Sequence, residues 1–239
     1  MMHSLPQGYT AVVFGASGAI GGALLQQLQA DPRCGMALGV SRSGSAGSLS
    51  CDLTQEDSLK ACAQQLSAQL APHGPLQLVL DATGALTIEG RGPEKKLDDL
   101  NEEALVNALR VNAIGPALLL KHMVPLLATG QRVIWGKLSA RVGSIEDNHK
   151  GGWYGYRSAK AALNMLLQSA AIEVARKRPL AVLAALQPGT VRSPLSQPFV
   201  GQQALDPADS ARGLLQALDG LQPNGRAHFV DYTGVPIPW

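Results

Sequence analysis

Ala11-Val12-Val13-Phe14-Gly15-Ala16-Ser17-Gly18-Ala19-Ile20-Gly21-Gly22 passes from a short apolar run, through glycines, into a segment with helical periodicity. Buried strand, glycine turn and helix start, in that order, are what a dinucleotide pyrophosphate needs. Glycines let the backbone approach, and the first helical turn supplies unpaired amides and the positive end of its dipole. Gly15, Ser17, Gly18, Ala19, Ile20 and Gly21 are therefore predicted to hold a dinucleotide. An NAD-binding unit of this kind places an Asp or Glu about 20 residues further on, against the ribose hydroxyls. Here that place reads Val40-Ser41-Arg42-Ser43, without an acid. A small hydroxyl followed by a guanidinium suits a ribose phosphate, because Arg binds phosphate oxygens through paired hydrogen bonds and stacks on adenine. Ser41 and Arg42 thus point to NADP(H) as the preferred cofactor, with NAD(H) the alternative.

The alternation continues along the chain. Apolar runs at residues 36–40, 76–80, 132–138, 180–186 and 227–230 read as buried strands. Between them, helical periodicity at residues 19–30, 54–70, 101–127, 154–177 and 207–221 gives segments long enough to cross over a sheet. The pattern predicts an α/β fold: one Rossmann-type, doubly wound parallel sheet of about seven strands with helices on both faces. No Pro/Gly/Ser-rich linker divides residues 1–239, so a single domain is expected. Asp31-Pro32 and Arg178-Pro179 mark helix ends, and Asn101 before Glu102-Glu103 marks a capped start.

Composition narrows the partners. Twenty Lys+Arg against 18 Asp+Glu leave a net charge of +2, too even to argue for nucleic acid or an anionic membrane, so a small-molecule partner is expected. Cys34, Cys51 and Cys62 have no CxxC or metal-ligand spacing, and the five histidines are scattered. Neither a disulfide framework nor a metal site is predicted. The first eight residues lack the basic-then-apolar signature of a signal peptide, and no uninterrupted apolar run reaches the roughly 18 residues that span a bilayer. A cytoplasmic protein is expected.

Tyr156 and Lys160 stand four apart at the head of the helical segment 154–177, so phenol and ammonium share one helix face. A cation fixed near a phenol stabilises the phenolate and lowers its pKa from about 10. Such a tyrosine can give a proton to a carbonyl oxygen or take one from an alcohol.

With these pieces in order, nearly the whole chain resembles the short-chain dehydrogenase/reductase family. Tyr156 and Lys160 fall on its YxxxK motif, which implies that the lysine also binds the nicotinamide ribose. Asp52-Leu53 resembles the family's acidic pair beside adenine, and Asp81-Ala82-Thr83-Gly84 stands where the family usually reads NNAG. Asn112 resembles the helix asparagine whose backbone holds a water that extends the proton path. Pro188-Gly189-Thr190-Val191 resembles the PG turn that meets the nicotinamide carboxamide. Ser139-Ala140-Arg141-Val142-Gly143-Ser144-Ile145, Gly151-Gly152-Trp153-Tyr154, residues 195–199 and the terminal Ile237-Pro238-Trp239 resemble the C-factor and sniffer-type carbonyl reductases within that family.

The resemblance implies catalytic roles for Tyr156, Lys160, Asn112 and a serine. It also implies cofactor contacts from Asp52, Leu53, Ala82, Thr83, Gly84, Pro188, Gly189, Val191 and Ser193. Where the subgroup carries its catalytic serine this chain has Ala140, preceded by Ser139; Ser144 in the following turn is the other candidate. Neighbouring residues of an extended strand point to opposite faces, so Ser139 takes over only if the strand ends or bulges there. Further differences are Ala19 for a glycine, Asp81 for the first Asn of NNAG, and Arg192-Ser193 for Asp-Thr after the PG turn. The expected activity is NADPH-dependent reduction of an aldehyde, ketone or quinone-like carbonyl to an alcohol, in a homodimer or homotetramer. The alternative is an NADP(H)-binding sensor with little catalysis, which Ala140 favours. A sugar-nucleotide epimerase is disfavoured, because the sequence leaves no room for a further substrate domain.

Overall fold

β1 (Tyr9–Phe14) lies near the centre of a seven-stranded parallel sheet whose order is β3-β2-β1-β4-β5-β6-β7. The computed structural model describes residues 1–44, 49–192 and 204–239. The other strands are β2 (Cys34–Ser41), β3 (Leu49–Ser50), β4 (Leu78–Asp81), β5 (Val133–Leu138), β6 (Ala181–Gln187) and β7 (Ala227–Asp231). Six of the seven strands overlap the predicted apolar runs. β3 is a two-residue strand at the edge of a polar loop, too short to give a hydrophobic pattern. Strand order reverses between β1 and β4, and in open sheets of this kind ligands bind at that reversal, beyond the carboxyl ends of the strands.

Side-chain alternation divides the core in two. Val12, Phe14, Val79, Trp135, Leu183 and Ala185 face one side, where α2 (Glu56–Leu70), α4 (Gly115–Met123) and α5 (Tyr154–Lys177) pack. Ala11, Val13, Leu78, Leu80, Ile134, Val182 and Leu186 face α1 (Ala19–Gln29) and α6 (Pro207–Gly220). Both faces are covered, so the central strands are apolar throughout rather than alternating.

The predicted helix at 101–127 is not one α-helix. It comprises α3 (Glu102–Leu109), a π-helical turn at Arg110–Ile114, α4, and a 3₁₀ turn at Val124–Leu126. Pro116 is the reason: it has no N–H to give the Asn112 carbonyl four residues back, and its ring crowds that carbonyl. The ladder widens instead, with the Gly115 amide donating to Arg110. The cap at Asn101 is as expected, its side chain accepting from the Ala104 amide. The continuous helical run Glu102–Leu126 is long and apolar enough by composition to cross a membrane. In this fold it packs on the sheet, with Leu119, Leu120 and Met123 in the core.

Candidate functional site

The carboxyl ends of β1, β2 and β4 open into a groove of 330 Å³ lined by Gly15, Ser17, Gly18, Ser41, Arg42, Asp52, Leu53 and the segment Ala82, Thr83, Gly84. Gly15 has φ +77°, and a Cβ on it would lie 3.0 Å from the Ala82 carbonyl carbon. A Cβ on Gly21 would come within 2.1 Å of the Gly15 oxygen, so the helix start must pack directly on the turn. Gly18 caps α1 with no side chain over its first-turn amides, which include those of Ala19, Ile20 and Gly21. This glycine-walled groove with open amides fits a dinucleotide phosphate. Arg42 is exposed at its rim and Ser41 is buried behind it. Burial works against the Asp52 carboxylate. Hydrogen bonds from the Thr54 hydroxyl (2.7 Å) and amide (2.9 Å), with Arg42 and Arg110 nearby, nonetheless hold it below the usual carboxylate range.

Below the groove lies a pair that sequence reading missed. Asp81 and Lys137 are register partners on β4 and β5, both 1% exposed, with Lys137 Nζ 3.0 Å from Asp81 Oδ1. Lys137 Nζ also donates to the Thr83 carbonyl (2.7 Å) and hydroxyl (3.1 Å), and the Thr83 amide and hydroxyl donate to Asp81 Oδ1. The sheet-to-loop bonding expected of an asparagine is thus made by a carboxylate, which requires the cation. The available signal was a lysine inside the apolar strand Val-Ile-Trp-Gly-Lys-Leu.

α5 brings Tyr156 and Lys160 over this floor. Lys160 is 2% exposed, donates from Nζ to the Leu138 carbonyl (3.1 Å), and sits 5.5 Å from the Tyr156 ring centroid. Burial, then repulsion by Lys137, pushes its pKa well down, with Asp81 opposing. The Tyr156 phenol differs from expectation: burial pushes it up to about 12, because desolvation outweighs a lysine that lies over the ring. Asn112 is fully buried on the π turn. Its Oδ1 accepts from the Ala85 amide (3.0 Å), and its Nδ2 donates to the Ala85 (2.9 Å) and Ala108 (3.2 Å) carbonyls. A Cβ on Gly84, at φ +146°, would lie 3.1 Å from Asn112 Oδ1 and 3.4 Å from Lys160 Nζ, so only glycine lets this loop meet both. The start of α5 is anchored by Glu94, whose Oε2 accepts from the Gly155 amide at 3.0 Å.

A second cleft of 710 Å³ opens beyond β5 and β6, lined by Ile20, Ser139, Ala140, Trp153, Tyr156, Gln187 and the Pro188-Gly189-Thr190-Val191 turn. Trp153 packs edge-on against Tyr156 at 6.3 Å between centroids. Ser139 is 5% exposed, and its hydroxyl donates to Asn164 Oδ1 on α5 at 2.7 Å. Ser144 Oγ donates to the Trp239 carbonyl and accepts from the Asp147 amide. The two candidate serines therefore have their protons engaged within the protein. Gly189 has φ +78° and packs against Leu205 and Tyr232, while the Pro188 carbonyl accepts from Ser210. Ser193 and the stretch 195–199 lie outside the described residues.

The model of a family described as enoyl-(acyl carrier protein) reductase matches residues 25–222. The chain is 32% identical to C-signal of Myxococcus xanthus over 166 residues, 70% of this chain and 94% of that protein. It is 30% identical to the 1-hydroxy-2-glutathionyl-2-methyl-3-butene dehydrogenase of Rhodococcus sp. (strain AD45) over 190 residues, 79% of this chain and 78% of the relative. Among solved structures, an NADPH-bound carbonyl reductase from chicken fatty liver superposes with a TM-score of 0.83, at 21% identity over 99% of this chain and 97% of that one. The carbonyl reductase Sniffer of D. melanogaster gives 0.81 at 22% identity, over 98% and 100%. With its doubly wound sheet, the chain belongs to the short-chain dehydrogenase/reductase family of oxidoreductases.

Proposed function

We propose that the protein is an NADPH-dependent reductase of a carbonyl substrate, acting as one domain over residues 1–239. The observation that carries this reading is Tyr156, with Lys160 over its ring, lining a cleft that opens at the same carboxyl end of the sheet as the glycine-walled groove. Gly15 to Gly21 would hold the pyrophosphate, Ser41 and Arg42 the ribose phosphate, Asp52 and Leu53 the adenine, and Pro188, Gly189, Val191 and Ser193 the carboxamide. When bound, the cofactor supplies a hydride. The protein's part is to hold the carbonyl carbon at that hydride and to deliver the Tyr156 proton to the carbonyl oxygen. Lys160 orients the ribose, and Asn112 ties the Ala85 loop to the proton path.

The reading is tested by following NADPH oxidation with aldehydes, ketones, diketones and quinones. Turnover with at least one class is expected, faster with NADPH than with NADH. Tight NADPH binding with no turnover on any class would replace it by the sensor reading. Arg42→Ala is expected to raise KM for NADPH by about ten- to a hundredfold, the worth of a hydrogen bond to a charged group, and to leave KM for NADH unchanged.

The neighbours at the dehydrogenase's 30% identity and in the carbonyl reductase structures support oxidoreductase chemistry on a carbon–oxygen bond, and the wide cleft suits a substrate larger than a simple aldehyde. Exposed Val106, Ile114, Met165, Leu166 and Ile172 on α3, the π turn and α5 support self-association into a dimer or tetramer, read directly by light scattering. The three free cysteines support a reducing, cytoplasmic setting.

A further inference from the structure

A carbonyl oxygen that gains negative character during hydride transfer needs a second hydrogen-bond donor beside the phenol, and this chain has alanine where its subgroup has a serine hydroxyl. The serine and arginine donors around the cleft have their protons engaged elsewhere. The Ser139 hydroxyl is spent on Asn164 and that of Ser144 on Trp239. The Arg157 guanidinium donates to the Gly152 and Val142 carbonyls, and Arg141 pairs with Asp147 (3.6 Å) and Asp231 (3.5 Å).

Gln187 differs from all of these. It is the last residue of β6 and shares the sheet face of Leu183 and Ala185, the side on which α5 carries Tyr156. Its Oε1 accepts from the Arg141 amide at 2.8 Å. Because that partner is an N–H, the orientation of the amide is fixed: the oxygen must face Arg141, and Nε2 is turned away from it. Nε2 has no partner among the described residues, and Gln187 lines the cleft with Ala140 and Tyr156.

We propose that Gln187 is a catalytic residue: its amide, held at Oε1 by the Arg141 N–H next to Ala140, presents Nε2 as the hydrogen-bond donor to the substrate carbonyl oxygen. This rests on the reductase reading above. In the step, the carbonyl carbon gains a hydride from NADPH and the oxygen gains the Tyr156 proton. Gln187 lends a hydrogen bond and transfers nothing, so no further reactant is needed. Ala140 brings only a methyl group to the cleft, and the clamped amide at the end of β6 supplies the donor in its place.

The test separates this role from that of a mere brace for Arg141. In Gln187→Glu the carboxylate still accepts from the Arg141 amide but has no proton to give. With para-nitrobenzaldehyde and diacetyl as probes, kcat is expected to fall about a hundredfold, the cost of losing one such donor, with NADPH affinity and melting temperature unchanged. Gln187→Leu is expected to fall at least as far and to regain most of its rate when combined with Ala140→Ser, which returns a hydroxyl to the cleft. Undiminished turnover in Gln187→Glu, or a failure of Ala140→Ser to restore Gln187→Leu, would overturn the assignment. Wild-type protein inactive on every probe would instead overturn the reductase reading, and this one with it.

Discussion

Tyr156→Phe is expected to lower carbonyl reduction by about a thousandfold, within the range set by losing a positioned general acid, while NADPH binding stays unchanged. The ring keeps its packing against Trp153 and its place under Lys160; only the proton donor goes. Undiminished turnover would sink the assignment of the acid. The pH dependence has a definite sign. Burial raises the phenol's pKa to about 12, so the protonated form, the one reduction uses, persists through neutral and mildly alkaline solution. Reduction should therefore show no alkaline limb from Tyr156 until pH approaches that value. The reverse reaction needs the phenolate, and its rate should climb about tenfold per pH unit over the same range. A reduction profile that falls steeply near neutrality would show that the cation, not burial, governs the phenol.

The second large effect concerns stability. Lys137→Met leaves the Asp81 carboxyl, 1% exposed, without its ion-pair partner, in a core where Asp81 Oδ2 already has no hydrogen-bond partner among the described residues. Breaking one side of a buried ion pair costs about 3–5 kcal/mol, so the melting temperature should drop by roughly 10 °C or more. Adding Asp81→Asn should recover most of that loss, because a neutral amide can still accept from Thr83 and needs no lysine. Calorimetry on the single and double variants measures this; a single variant within about 1 kcal/mol of the parent would show the pair to be energetically idle.

The glycine turn, the apolar runs and the Tyr156–Lys160 spacing were legible because each depends only on local sequence. The partner of Ser139 was not: whether its hydroxyl turns to the cleft or away depends on what packs beyond the end of β5, and there it meets Asn164 of α5. The Asp81–Lys137 pairing was not legible, since which residues of β4 and β5 stand opposite is set by sheet register. The π turn was half legible, for Pro116 forbids a regular ladder but does not say how the chain will accommodate it. Gln187 was silent for a different reason. Its significance depends on what Ser139, Ser144 and two arginines have already done with their hydrogen bonds, which only three dimensions record.

Strand order also bears on synthesis. β1 emerges first from the ribosome and can pair early with β2, but its other edge waits for β4, beyond the whole of α2. Until then an apolar strand destined for the middle of the sheet presents a bare row of amides and carbonyls, the template on which foreign strands add. Everything from β3 through α2 must be made before β4 can cover that edge.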